Sequence, residues 1–246
     1  MSKLAIIGGT GLTQLADLKI IKRDQLATPY GVPSAEFITG QLGNKEIIFL
    51  ARHGNPHRFA PHKINYRANI WGLKQLGVNQ IIAVAAVGGI TQNMGPAQIA
   101  IPDQIIDYSY GREHTFFDND QEGVTHIDFS YPYSQQLRSK LITAAEIAQI
   151  KIIPCGTYGC TQGPRLETAA EIKRMEQEGC DLVGMTGMPE AALAKELNID
   201  YAAIAVVANW AAGKTESEIT MAEIEQHLHK GMADTSLFLK AYFEKY

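Results

Sequence analysis

The stretch IIAVAAVGG at residues 81–89 decides the fold. Seven consecutive apolar residues closed by a glycine pair describe a strand covered on both faces, because a strand with one wet face alternates apolar and polar side chains. Such a strand needs helices above and below it. Working outward, Leu4, Ala5, Ile6 and Ile7 form a second buried run, again stopped by glycines, Gly8 and Gly9. EIIFL at 46–50 is a third, followed by a polar turn containing Arg52, His53 and His57. Residues 64–76 put Ile64, Ala68, Trp71 and Leu76 near one face at helical spacing, with Gly77 placed to cap the helix. Further on, the pattern predicts helices over 132–150, 166–177 and 189–197 and strands over 152–158, 181–185 and 201–207. A long terminal helix follows over 219–246. The segment 111–123, with Asp118, Asp120 and Glu122, lacks apolar pattern and reads as an exposed excursion. Strand–helix alternation without repeats or linkers predicts one α/β domain over 1–246, a sheet with helices on both faces. Ligands in such folds sit beyond the carboxyl ends of the strands, so chemistry belongs in the post-strand segments.

Composition narrows the class. The chain has 246 residues, 46% hydrophobic and 20% charged, which excludes disorder and coiled coil. A net charge of -4 and a pI near 6.0 give no electrostatic footprint for nucleic acid or anionic membrane. Mean hydropathy is -0.10, and no apolar run approaches the roughly 20 residues that span a bilayer. The start, MSKLAIIGGTG, reads as a strand and turn rather than a signal peptide. Three cysteines, Cys155, Cys160 and Cys180, are odd in number and lack CxxC spacing, which fits a reducing cytoplasm and no structural zinc.

Several familiar motifs fail on inspection. Gly9-Thr10-Gly11 begins a dinucleotide fingerprint, but Gln14 stands at the third glycine. Ala212-Gly213-Lys214-Thr215 looks like the end of a P-loop, yet Ala208 occupies its first glycine position. His53 and His57 have i,i+4 spacing, but Pro56 between them excludes a zinc-protease helix. What survives is an anion site built from three post-strand segments: Gly8 to Gly11, Arg52-His53, and Ala86 to Gly89. Glycine turns expose backbone N–H groups, and arginine adds a fixed fork of donors suited to phosphate. The plainer alternative is that the glycines only make turns and that Arg52 pairs with a carboxylate.

Taken together these segments resemble the trimeric purine nucleoside phosphorylase family, particularly its methylthioadenosine phosphorylase branch. The likeness runs through IIGGTGL at 6–12, ARHGNPHR at 51–58, NYRANIWGLKQLG at 65–77, VGGI at 87–90, GPRLET at 163–168, GMTGMPEAALAKE at 184–196 and VANW at 207–210. It implies a central mixed β-sheet flanked by helices and cleavage of a purine N-glycosidic bond by inorganic phosphate. It also implies a homotrimer and no cofactor or metal. By resemblance, Thr10, Arg52, His53, the backbone at Ala86, and Thr186 form the phosphate pocket. Met185 lies under the ribose, Glu167 and Asn209 recognise the base, and Asn209 and His53 stand nearest the chemistry. His126, in VTHIDFSYPYS, matches a segment that a neighbouring subunit inserts at the mouth of the site. Ala85 departs from relatives that carry Thr or Asn there.

Two details speak to the substrate. The methylthioadenosine enzymes carry Asp where this chain has Asn209, a second Asp at Ala211, and a small hydroxyl residue at Glu167. A 6-oxopurine offers N1–H as donor and O6 as acceptor, which Glu167 and Asn209 complement; adenine offers an acceptor N1 against the carboxylate. The 6-oxopurine enzymes place a His against the ribose 5′-hydroxyl, where alignment puts Met221, with Ile224 a turn later. Neither can hydrogen-bond a hydroxyl, and a thioether suits a 5′-methylthio group. The leading expectation is phosphorolysis of S-methyl-5′-thioinosine. Inosine/guanosine phosphorylase, methylthioadenosine phosphorylase, a hydrolytic nucleosidase and a silent purine-binding protein stand as alternatives.

Overall fold

A computed structural model describes residues 3–12, 18–118, 125–216 and 218–246. The strand that opened the sequence reading is the centre of one eleven-stranded mixed sheet. It is β5 (Gln80–Gly89) in a chain that also forms β1 (Leu4–Gly8), β2 (Lys19–Asp24), β3 (Phe37–Leu42) and β4 (Lys45–Ala51) before it. After it come β6 (Ile99–Ala100), β7 (Gln104–Asp107), β8 (Ile152–Ile153), β9 (Thr157–Cys160), β10 (Leu182–Gly184) and β11 (Asp200–Trp210). The helices are α1 (Tyr66–Gln75), α2 (Gln135–Ile147), α3 (Ala169–Gln177), α4 (Gly187–Glu196) and α5 (Met221–Lys245).

Alternate residues of the central strands enter two separate cores, which is why their sequences show no polar alternation. Ile81, Ala83, Ala85 and Val87 of β5 pack with α1 and α4 on one face, together with Ala5 and Ile7 of β1. Ile82 and Val84 face the opposite core with Leu4 and Ile6, under α2 and α5. Local chemistry sets the helix ends. Asn65 caps α1 by accepting from Ala68 N–H. Gly77, at φ 82°, closes it, with Val78 N–H returning to Leu73 O at 3.0 Å. Thr168 and Glu171 form a reciprocal capping box at α3.

The sheet forks at the site. One edge of β5 pairs with β11 along its whole length. The other pairs with β1 in parallel up to Ala83, and with β10 in antiparallel only from Gly88. Between Ala83 and Gly88 that edge has no strand beside it among the described residues, and a cleft opens there.

Three readings need correction. The expected strand over 152–158 is two strands, β8 and β9, which pair with different neighbours. Pro154 cannot donate to a ladder, and Gly156, at φ 143°, turns the chain between them. The expected excursion is anchored where it is described: Phe116 is buried, and Glu196 accepts from Thr115 Oγ1 at 2.6 Å and Phe116 N–H at 2.8 Å. Asp120 and Glu122 lie outside the described residues. Finally, α5 begins at Met221, capped by Thr220, rather than at 219. Among the described residues no helix is long and apolar enough to cross a membrane.

Candidate active site

The cleft at the fork is a cavity whose wall includes Thr10, Arg52, His53, Ala86, Glu167, Met185, Thr186 and Asn209. Eight residues expected from sequence therefore meet in one place. Thr10, Arg52, His53, Met185 and Thr186 follow β1, β4 and β10, Ala86 and Asn209 lie in the carboxyl-end halves of β5 and β11, and Glu167 comes from the segment between β9 and α3, in keeping with the post-strand argument.

At one end lies the turn after β1. A Cβ on Gly8 would fall 2.0 Å from Leu12 O, and one on Gly9 would fall 2.7 Å from Val84 O and 2.8 Å from Arg52 Nη1. Only glycines let the turn lie this close to the guanidinium. Arg52 is almost wholly buried and is not a free cation. Its Nε and Nη2 donate to Glu190 at 2.7 and 2.8 Å, and Nη1 donates to Val84 O at 2.9 Å. Glu190, fully buried, also accepts from Tyr201 OH at 2.8 Å. Burial works against the charged guanidinium, but the Glu190 carboxylate outweighs it and holds Arg52 above its ordinary value. Among the described residues these bonds engage three of its five N–H groups, leaving two for a ligand. The expected cationic pocket is thus a charge-balanced one that offers directed donors.

His53 is held neutral. Burial pushes its pKa down to about 4, assisted by Arg52 and His57, against the opposing bond to Phe59 O. Nδ1 sits 2.8 Å from Phe59 O, which can only accept, so the ring proton is assigned to Nδ1 and Nε2 is an acceptor. Its ring stacks on His57 at 4.3 Å. A neutral His53 can meet a phosphate only through a protonated oxygen. Thr186 occupies the cap position of α4 without making a side-chain cap bond; it lines the cavity, with its side chain hydrogen-bonded to buried Tyr158. Ala86 lies on the unpaired edge of β5, with apolar Ala85 beside it.

At the other end, Glu167 accepts from Thr161 Oγ1 at 2.6 Å. Asn209, at an irregularity in β11, donates one amide N–H to Trp210 O at 2.7 Å, which fixes its orientation and leaves a second N–H. Met185 lies between these ends against Gly163, where a Cβ would come within 2.4 Å of Sδ. The remaining wall is apolar and includes Ile219, Ile224 and Leu228.

Two expected residues are not in this cavity. Met221 is 67% exposed and absent from its wall. As the first residue of α5 it lies ahead of the stretch that packs, and Ile224 with Leu228, one turn apart, form the wall instead. His126 is exposed and does not line this chain's own cavity. Sequence reasoning also missed Glu190, Thr161 and Arg112. Leu228, also missed, had a usable signal in its i+4 spacing from Ile224; Glu190 and Arg112 depend on partners distant in sequence, whereas Thr161 meets Glu167 only six positions on.

A forked mixed sheet whose cleft holds donors suited to phosphate together with Glu167 and Asn209 has the arrangement expected of a nucleoside phosphorylase. The profile of the Phosphorylase superfamily matches residues 3–244, and the chain belongs to that family. It is an enzyme of the pentosyltransferase, purine nucleoside phosphorylase type. It is 58% identical over 232 residues, 94% of each chain, to a Pseudomonas syringae pv. tomato protein described as "Probable S-methyl-5'-thioinosine phosphorylase". It is 45% identical over 240 residues, 95% of this chain and 89% of the relative, to the Pyrococcus furiosus 6-oxopurine nucleoside phosphorylase. The solved methylthioadenosine phosphorylase of Schistosoma mansoni with adenine superposes with a TM-score of 0.95 at 29% identity, covering 100% of this chain and 92% of that one.

Proposed function

We propose that the chain cleaves S-methyl-5′-thioinosine with inorganic phosphate, giving hypoxanthine and 5-methylthioribose 1-phosphate. The observation that carries this reading is one cavity holding both Glu167 with Asn209 and the apolar wall of Ile219, Ile224 and Leu228. The first pair suits a 6-oxopurine, Glu167 accepting from N1–H and Asn209 donating to O6 or N7. The wall suits a methylthio group and offers no partner to a 5′-hydroxyl. The description of the Pseudomonas syringae relative agrees.

The reaction breaks C1′–N9, whose electron pair leaves with the purine, and forms C1′–O to phosphate. Positive charge develops on the sugar and is stabilised by the phosphate that is also the nucleophile, so the protein's task is positioning. Thr10, Arg52, the Ala86 backbone and Thr186 hold the phosphate, and His53 Nε2 accepts from its protonated oxygen. Asn209 is neutral; it strengthens a hydrogen bond to the departing base without being a strong acid. Inorganic phosphate is the co-substrate, with no further cofactor.

The assembly we propose is a homotrimer in which exposed His126 and Tyr131 reach a neighbour's cavity mouth. A cytoplasmic setting accords with three unpaired cysteines. An inosine/guanosine phosphorylase is the second reading, favoured by the Pyrococcus furiosus relative's name. Release of hypoxanthine from S-methyl-5′-thioinosine, followed by absorbance with and without phosphate, tests the proposal. Phosphate-independent release would indicate a nucleosidase, and no release a binding protein.

A further inference from the structure

We propose that Thr161 is a positioning residue for base selection, its hydroxyl fixing Glu167 as an acceptor for a purine that carries hydrogen on N1. The inference deepens the preceding one and rests on Glu167 meeting the base. Thr161 stands behind Glu167, just past the end of β9, and is not part of the cavity wall. Its single hydroxyl hydrogen has two acceptors in reach: Glu167 Oε1 at 2.6 Å and Gly184 O at 3.3 Å. Gly184 O already accepts from Thr161's own N–H at 2.8 Å, so the hydroxyl donates to Glu167. That bond engages Oε1 and leaves Oε2 to meet the base. A carboxylate oxygen placed there accepts from N1–H of a 6-oxopurine and opposes the bare N1 of adenine.

Thr161 is itself held in place. Arg112 Nη2 donates to Thr161 O at 3.1 Å and Gln162 O at 2.9 Å, and its Nε donates to Gln162 Oε1 at 3.0 Å. The same guanidinium reaches Met185 O at 2.9 Å through Nη1. One side chain thus ties the loop behind the base to the residue under the ribose. With the peptides on either side fixed, the Thr161 Cα and Cβ keep their place beside Glu167, and the hydroxyl holds the carboxylate there.

The test compares Thr161→Val, which keeps shape and removes the hydroxyl, with Thr161→Ser, which keeps the hydroxyl and removes a methyl. Glu167→Ala is the control for the underlying reading. The readout is kcat and KM for S-methyl-5′-thioinosine and for methylthioadenosine at saturating phosphate, with phosphate KM alongside. In Thr161→Val the preference for the 6-oxopurine should fall about tenfold, chiefly through the nucleoside KM, as expected for losing a hydrogen bond to a charged group. Thr161→Ser should retain the preference, and phosphate KM should stay within about twofold in both. A packing role gives the reverse order, Val normal and Ser impaired, and overturns the proposal. So does an unchanged preference in Thr161→Val when Glu167→Ala abolishes it. If Glu167→Ala itself leaves the preference unchanged, the base-recognition reading fails as well. Should Thr161→Val not fold, Thr161→Ala against Thr161→Ser gives the same comparison.

Discussion

Arg52 and Glu190 show how far a side chain's role depends on its partner. Removing the guanidinium leaves a carboxylate, buried with Tyr201 as its remaining donor among the described residues. Arg52→Ala should therefore destabilise the fold by about 3–5 kcal/mol and raise the phosphate KM strongly. The double change Arg52→Met with Glu190→Met should recover much of the melting temperature but not the phosphate affinity. An unchanged phosphate KM in Arg52→Ala would contradict the assignment. His53 gives a pH signature. Its folded pKa of about 4 lies below the ordinary 6.5, so the unfolded chain binds the extra proton between those values. Its contribution is present above about pH 6.5 and lost as pH falls towards 4, about 3 kcal/mol in all. Urea unfolding at pH 7 and pH 4.5 should show a steeper loss in the wild type than in His53→Gln. Equal slopes would mean that His53 is not buried neutral.

Among the elements, α5 is the one that the proposed reading makes responsible for sugar specificity. Ile224 and Leu228 turn into the cavity, whereas Met221 in the first turn points to solvent. A buried 5′-hydroxyl without a partner loses about 1–3 kcal/mol. Ile224→His should supply that partner and narrow the preference for S-methyl-5′-thioinosine over inosine by about tenfold or more. Met221→His should leave it within about twofold, as surface changes usually do. The opposite ranking, measured as a ratio of kcat/KM values, would return Met221 to the site. The misplacement has a physical cause. Spacing fixes which residues share a helix face, but where the helix begins depends on a cap, and Thr220 places Met221 ahead of the packed turns. Strands behaved similarly. Those buried on both faces, β1, β5 and β11, are plain in sequence. KIIKRD of β2 lies exposed at the sheet's end, so its pattern carries no burial signal.

Across the whole molecule, the forked sheet explains why so much of the site was legible. Cavity residues that follow strands, from Thr10 to Thr186, stand where an α/β sheet puts its ligands. What sequence could not reveal were contacts made between distant segments: Glu190 beneath Arg52, 138 positions away, and Arg112 across from Thr161. A segment that lacks apolar periodicity can still be structural when one arginine satisfies several carbonyls, and 111–118 does so. The central claim is that a 6-oxopurine end and an apolar 5′ end share one cavity. It is tested by kcat/KM on S-methyl-5′-thioinosine, inosine, methylthioadenosine and adenosine in parallel, at saturating phosphate. S-methyl-5′-thioinosine should exceed inosine by about two orders of magnitude, from the unpaired hydroxyl and the buried methylthio group together. It should exceed methylthioadenosine by about 10³-fold, from the mismatch at N1. Inosine turned over as well as S-methyl-5′-thioinosine, or methylthioadenosine preferred to both, would contradict it.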